Sequence, residues 1–233
     1  MQAPQAVLFD AYGTLFDVYS VGQLAEALFP GQGAALAALW RDKQIEYTRL
    51  VTTSDDGAHY QPFWTLTGAA LRFAIKKIAN FEEPMPASAG FDSKIERLMD
   101  AYRRLDCFPD AKPLLEKLKA RGVATGILSN GDPQMLADAV QSAGIGALLD
   151  HVISVDAVRK YKTHPEAYKL GERATGLAPQ QILFVSSNSW DALGATWHGF
   201  RTLWVNRQRL PFEELGTLPT RIGTRLGDVL AFF

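Results

Sequence analysis

Apolar residues along the chain fall into two patterns. Short, nearly continuous runs occupy 6–9 (Ala6-Val7-Leu8-Phe9), 123–128, 151–154, 182–185 and 202–205. Runs of this length, rich in β-branched and aromatic residues and lacking polar alternation, predict strands buried on both faces, as in a parallel sheet. Between the later runs, helix-period apolar spacing predicts helices near 111–121, 133–143, 165–175 and 190–198. Strand and helix in alternation predict an α/β fold with a Rossmann-like, doubly wound parallel sheet.

The alternation stops after the first strand. From about 20 to 105 the spacing is helical, over 22–28, 34–51, 63–78 and 92–104, with Leu36, Leu39, Trp40, Ile45 and Leu50 among the apolar positions. Turns are expected at Ser54-Asp55-Asp56-Gly57 and at 83–86. The expected organisation is an α/β core of residues 1–16 and 106–233 and an inserted helical cap domain, 17–105. The stretch from 210 to 233 carries no clear pattern.

The 233 residues are 47% apolar and 21% charged, the balance of a globular protein with a real core. Twenty-four basic side chains against 25 acidic ones leave a net charge of −1, which offers no field for nucleic acid or an anionic membrane. The single Cys107 excludes an internal disulfide, and the four histidines (His59, His151, His164, His198) lack ligand spacing, so no metal site is expected. The chain starts without a basic, apolar leader, and no apolar run approaches the roughly 20 residues of a membrane span; the cytoplasm is the expected location.

In an open parallel sheet, ligands bind beyond the carboxyl ends of the strands. Asp10 ends the first strand, Ser129-Asn130-Gly131 the second, Lys162 follows the third, and Ser186-Ser187-Asn188-Ser189-Trp190-Asp191 closes the fourth. Singly, each has an ordinary reading: turn residue, helix cap, solvated lysine, first-turn carboxylate. Together they put a nucleophile, a cation and a second carboxylate on one sheet edge, which is a catalytic arrangement.

Asp10-Ala11-Tyr12-Gly13-Thr14-Leu15, Ser129-Asn130-Gly131, Tyr161-Lys162 and Ser186–Asp191 resemble, in order and spacing, the motifs of the haloacid dehalogenase superfamily. Within it, Trp40-Arg41-x-Lys43-Gln44-x-Glu46-Tyr47-Thr48 and Phe184-Val185-Ser186-Ser187-Asn188-x-Trp190-Asp191 look like the (S)-2-haloacid dehalogenases. The superfamily's phosphatases typically carry an Asp two residues after the nucleophile to protonate an alkoxide; here that position is Tyr12, whose ordinary pKa of about 10 suits the task poorly. They also hold magnesium with a carboxylate where this chain has Ser186-Ser187. Halide needs neither acid nor metal, because it leaves as a stable anion.

The resemblance implies a Rossmann-like core with a helical cap, no cofactor, and hydrolysis of short (S)-2-haloalkanoic acids to (R)-2-hydroxy acids through an ester on Asp10. It implies that Lys162 sets an opposite charge beside the nucleophile, that Thr14 and Ser186 orient its carboxylate, and that Asp191, with Asn188, activates the hydrolytic water. It places the substrate carboxylate at Ser129 and the departing halide at Arg41 with Asn130. Tyr12, Ile45, Phe63 and Trp190 would line a small apolar pocket, and Tyr168 matches a tyrosine supporting the site. Asp42 departs from the family, which commonly has Gln there. Members are often homodimers through cap helices, an arrangement open to this apolar insert. Two other readings stand beside this one: a phosphatase or phosphomutase of the same superfamily, and a non-catalytic relative that binds a small acid or a protein partner.

Overall fold

The computed structural model describes residues 2–78 and 89–233; the turn expected at 83–86 lies outside them. Six strands form one parallel sheet in the order β3-β2-β1-β4-β5-β6, with β1 Ala6–Phe9, β2 Ala124–Ser129, β3 His151–Ser154, β4 Ile182–Ser186, β5 Arg201–Val205 and β6 Arg221–Gly223. β1 is central, in register with β2 (Leu8 opposite Gly126) and with β4 (Leu8 opposite Phe184). Every residue of β1 and β4 is buried, which is why their sequences lack polar alternation. The chain builds one wing through β2 and β3, then crosses back to build the other from β4. The carboxyl ends of β1 and β4 therefore meet at a topological switch point, where ligands bind in such sheets.

The helices around the sheet are α5 (Ala111–Ala120), α6 (Pro133–Ala143), α7 (Pro165–Thr175) and α8 (Ser189–His198). Local chemistry sets their ends: Pro133 opens α6 behind Asp132, whose carboxylate accepts from the Met135 N–H at 3.1 Å. β6, absent from the sequence expectation, is three residues long with two of them exposed, too short to leave a pattern.

Between β1 and β2 lie α1 (Val21–Leu28), α2 (Gly33–Thr53), α3 (Phe63–Ile78) and α4 (Ala89–Arg103), which pack mainly on one another. The inward row of α2 is Leu36, Trp40, Gln44, Thr48 and Thr52, at helical spacing. Leu50 is instead 51% exposed, and Ile45 is half-buried beside the row. The buried row of α2 thus begins apolar at Leu36 and Trp40 and turns polar from Gln44 onward. The chain leaves for these helices and returns at neighbouring points: Phe16 bridges Cys107, and Asp17 N–H donates to Asp106 C=O at 2.8 Å. No helix among the described residues is long and apolar enough to cross a membrane.

Leu8 is fully buried at the sheet centre, where truncation leaves a cavity. Leu8→Ala is expected to cost about 2–5 kcal/mol, read as a lower urea midpoint at unchanged m-value.

Candidate active site

Asp10 follows β1 at the switch point and is 6% exposed. Its Oδ2 accepts from Thr14 Oγ1 at 3.1 Å and from Asn188 Nδ2 at 2.8 Å. Its Oδ1 accepts from Lys162 Nζ at 3.2 Å. Thr14 reaches back because Gly13, at φ +89°, takes a left-handed turn that other residues resist. Ser187 N–H donates to Thr14 Oγ1 at 2.8 Å, which commits the threonine proton to Asp10.

The Lys162 side chain is fully buried, and its Nζ also donates to Asp191 Oδ2 at 2.9 Å. One ammonium therefore stands between two carboxylates, 4.7 Å from the centre of the Phe184 ring. Its backbone is held from outside the loop: Asn130 Oδ1 accepts the Lys162 N–H at 3.0 Å, and Thr52 of α2 accepts the Tyr161 N–H at 3.0 Å.

Asp191, in the first turn of α8, is wholly buried. Burial pushes its carboxyl up to about 6; the Lys162 ammonium opposes that shift, and Asp10 adds to it. Tyr168 OH donates to Asp191 Oδ1 at 2.8 Å. This approach depends on Gly194, because a Cβ there would lie 2.6 Å from the Tyr168 hydroxyl.

Arg41 comes from α2. Its Nη2 donates to Asn188 Oδ1 at 3.2 Å and to Tyr12 C=O at 3.3 Å, and its Nη1 donates to Gln44 Oε1 at 2.7 Å. A cavity of about 240 Å³ opens beside it, lined by Ser187, Asn188, Trp190, Trp204 and Arg207 among others. A second, of about 360 Å³, reaches Lys162 between Arg49, Thr52, Thr163 and His164. Trp190 lines the first and packs under Arg49 of the second, at 5.7 Å from ring centre to guanidinium carbon.

Asp10, Thr14, Lys162, Asn188 and Asp191 thus converge, with Arg41 one hydrogen bond away. Other expected residues take different places. Ser186 does not bond Asp10 among the described residues; its Oγ accepts the Asn188 N–H at 3.1 Å and shapes the loop, while Asn188 itself donates to Asp10. Asn130 holds Lys162: its Oδ1 accepts the lysine N–H at 3.0 Å, a contact that does not use its Nδ2 donor. Ser129 is fully buried and its Oγ accepts from Gly131 N–H at 3.1 Å. Tyr168 lies wholly buried behind Asp191, supporting that carboxylate rather than lining a cavity.

Tyr12 and Phe63 are buried neighbours, with ring centres 6.0 Å apart, and Tyr12 stacks on Tyr102 at 5.5 Å. Burial pushes the Tyr12 hydroxyl well above its ordinary range, which suits it for packing rather than for proton donation. Gln44 and Tyr102 were absent from the expected set. Their signal in the sequence is a polar residue on the inward row of α2, three positions after Arg41.

Donation from Tyr168 favours the charged form of Asp191, so removing the hydroxyl must raise that carboxyl further. Tyr168→Phe is expected to move the Asp191 titration midpoint upward from about 6, measured by carbon-13 NMR of the carboxyl; an unmoved midpoint would contradict the contact.

A model of the haloacid dehalogenase-like hydrolases matches residues 4–199. The chain is 40% identical over 229 residues to the (S)-2-haloacid dehalogenase H-109 of Pseudomonas putida, covering 98% of this chain and 97% of that one. The crystal structure of the L-2-haloacid dehalogenase RSc1362 superposes with a TM-score of 0.93 at 52% identity, covering 99% of both chains. That of the Xanthobacter autotrophicus L-2-haloacid dehalogenase with chloropropionic acid covalently bound gives a TM-score of 0.85 at 34% identity, covering 97% of this chain and 96% of that one. Full-length similarity of sequence and structure places the chain in the (S)-2-haloacid dehalogenase family of the haloacid dehalogenase-like hydrolases.

Proposed function

We propose that this protein hydrolyses the carbon–halogen bond of short (S)-2-haloalkanoic acids, such as 2-chloropropionate or haloacetates, giving (R)-2-hydroxy acids and halide without a metal. The observation that carries this reading is the Lys162 ammonium between Asp10 and Asp191, with three neutral or cationic donors, Thr14, Asn188 and Arg41, on the open side of the nucleophile. Lys162 supplies the positive charge that a metal would bring to this carboxylate pair. The matching relatives act on 2-haloacids by their names, and one was captured with chloropropionic acid covalently bound.

In the proposed reaction an oxygen of Asp10 attacks C2 from the side opposite the halogen, and the halide departs with the bonding electrons. Among the described residues Oδ2 is held by two donors, whereas Oδ1 has Lys162 and is the attacking oxygen. Arg41 stabilises the departing anion with its charge: Nη1 donates to Gln44, Nη2 to Tyr12 C=O and Asn188, and the guanidinium also meets the Tyr102 hydroxyl, which together fix it beside the site. Water then attacks the ester carbonyl of Asp10, and Asp191 takes its proton. The ester bond breaks at the Asp10 carbonyl carbon; the departing oxygen takes the remaining proton of the attacking water, which releases the hydroxy acid and restores the carboxylate, and Asp191 returns its proton to solvent. Lys162, between them, compensates charge on both aspartates through the cycle. Ser129 and the backbone N–H groups beside it receive the substrate carboxylate, and Trp190 and Phe63 border the halogen and the C2 substituent.

The same reading makes 17–105 a cap domain on a core of 1–16 and 106–233, supported by the adjacent exit and return of the chain at Phe16 and Cys107. It also includes pairing of two copies through the cap helices.

The test follows chloride release from each enantiomer of 2-chloropropionate in EDTA, beside a phosphatase assay with magnesium. Release from the (S) enantiomer with (R)-lactate as product, abolished in Asp10→Asn, is expected; phosphate release that depends on magnesium, without dehalogenation, would overturn the proposal. In turnover, ester hydrolysis is expected to fall on the acid side with a midpoint below about 6, because protonated Asp191 accepts no proton from water and the esterified Asp10 no longer adds its charge to the upward shift of Asp191. A pH–rate profile without that acid limb would remove Asp191 from the role of base.

A further inference from the structure

Gln44 is 1% exposed on the inward row of α2, one helical turn beyond Arg41. Every polar atom of its amide is in use. Oε1 accepts from Arg41 Nη1 at 2.7 Å, and Nε2 donates to Thr67 Oγ1 of α3 at 2.7 Å. Tyr102 OH of α4 lies 3.3 Å from Nε2 and 3.4 Å from Oε1. Three helices thus close on one amide, and among the described residues the charged group it hydrogen-bonds is the guanidinium.

The direction of the amide is determined by its neighbours. Thr67 Oγ1 donates to Phe63 C=O at 2.7 Å, so its proton is committed and it presents only lone pairs to Gln44. The amide must therefore turn Nε2 toward Thr67 and Oε1 toward Arg41. Thr67 is held in turn by Trp40 Nε1, which donates to its carbonyl at 2.9 Å, and Tyr102 lies between Trp40, tilted against it at 5.3 Å, and Tyr12, stacked on it at 5.5 Å. A polar residue on an otherwise packed helix row costs stability unless it is satisfied, and here its satisfaction aims at Arg41.

We propose that Gln44 is a positioning residue: with Thr67 and Tyr102 it holds the Arg41 guanidinium at the angle from which it meets the departing halide. This rests on the dehalogenase reading and deepens it. A neutral amide is the group this position requires. A carboxylate would pair with Arg41 and cancel the charge that the halide needs, and an apolar side chain would leave the guanidinium free to rotate.

Leaving-group dependence separates positioning from a merely structural role. A chloride departs less readily than a bromide and draws more on the donor, whereas a loosened fold slows both alike. In Gln44→Met, kcat/KM for (S)-2-chloropropionate is expected to fall about 10²-fold, the order expected for a misplaced catalytic group. The fall for (S)-2-bromopropionate should be smaller, so the bromo-to-chloro ratio rises above wild type. Hydrolysis of the preformed ester, followed in a single turnover, should be unchanged. Thr67→Val, which removes the acceptor of the amide without touching Arg41, should move the ratio in the same direction by less, and it carries the comparison if Gln44→Met does not fold. An unchanged bromo-to-chloro ratio in active variants overturns the assignment while leaving the dehalogenase reading intact. Absence of halide release by the wild-type protein from either acid overturns both.

Discussion

The structure turns on a single buried ammonium. Moving a lysine and two aspartates out of water costs several kcal/mol per ion, and only close pairing offsets that cost. Lys162 meets both partners, at 3.2 Å to Asp10 and 2.9 Å to Asp191. The surrounding structure is arranged to keep them there. β1 and β4 lie side by side, so the carboxylates that follow them face a common space. Asn130 holds the lysine backbone, and the Phe184 ring flanks its ammonium. The two carboxylates nevertheless differ. Asp10 has neutral donors on its outer oxygen and sits beside the loops that open to solvent. Asp191 is sealed behind Tyr168, and burial raises its carboxyl into the range of a general base. Unlike surroundings for two like groups are what assign them unlike roles.

The helices between β1 and β2 complete what the sheet leaves open. They bring Arg41 over the edge and are tied down around it by polar contacts: Thr52 to Tyr161, Tyr60 to Asp156 at 2.5 Å, and Trp64 N–H to Asp132 at 3.0 Å. Asp132 serves two elements at once, capping α6 with one oxygen and receiving the first turn of α3 with the other. The same residues that terminate elements of the sheet domain therefore seat the helices above the site.

How much of this was legible follows from the physics of each element. β1, β4 and the helices after them could be read to within a residue or so, because full burial on both faces leaves uninterrupted apolar runs. β6 could not, since three residues at a sheet edge have too little buried surface to mark themselves. The site residues at strand ends were legible as types and positions, but their partners were not. Ser186 and Asn188 are two residues apart on one tight loop, and which of them reaches Asp10 depends on the turn rather than on composition. On α2 the apolar spacing pointed to Ile45 and Leu50, whereas the buried row continues through Gln44, Thr48 and Thr52. A helix that crosses a catalytic edge buries polar groups for which hydrophobic periodicity has no signal.

Charge argues for a halide rather than a phosphoryl substrate. With both aspartates ionised, the Lys162 cluster carries one negative charge in excess, in a setting with little water to screen it. A phosphate ester would add a dianion to that excess, and phosphoryl transfer ordinarily relies on magnesium to offset such crowding. The fourth strand end here supplies Ser186 and Ser187 where a metal-binding carboxylate would be required, and both aspartates are already engaged by the lysine. In the proposed reaction a 2-haloacid adds a single negative charge, met at Ser129 and the backbone N–H groups beside it, and sheds its halide toward the Arg41 guanidinium. In the proposed cycle the buried ammonium remains where it is through both halves, first opposite a carboxylate, then beside its ester. A site that keeps its main charge fixed and lets only small anions enter and leave is suited to displacement at carbon.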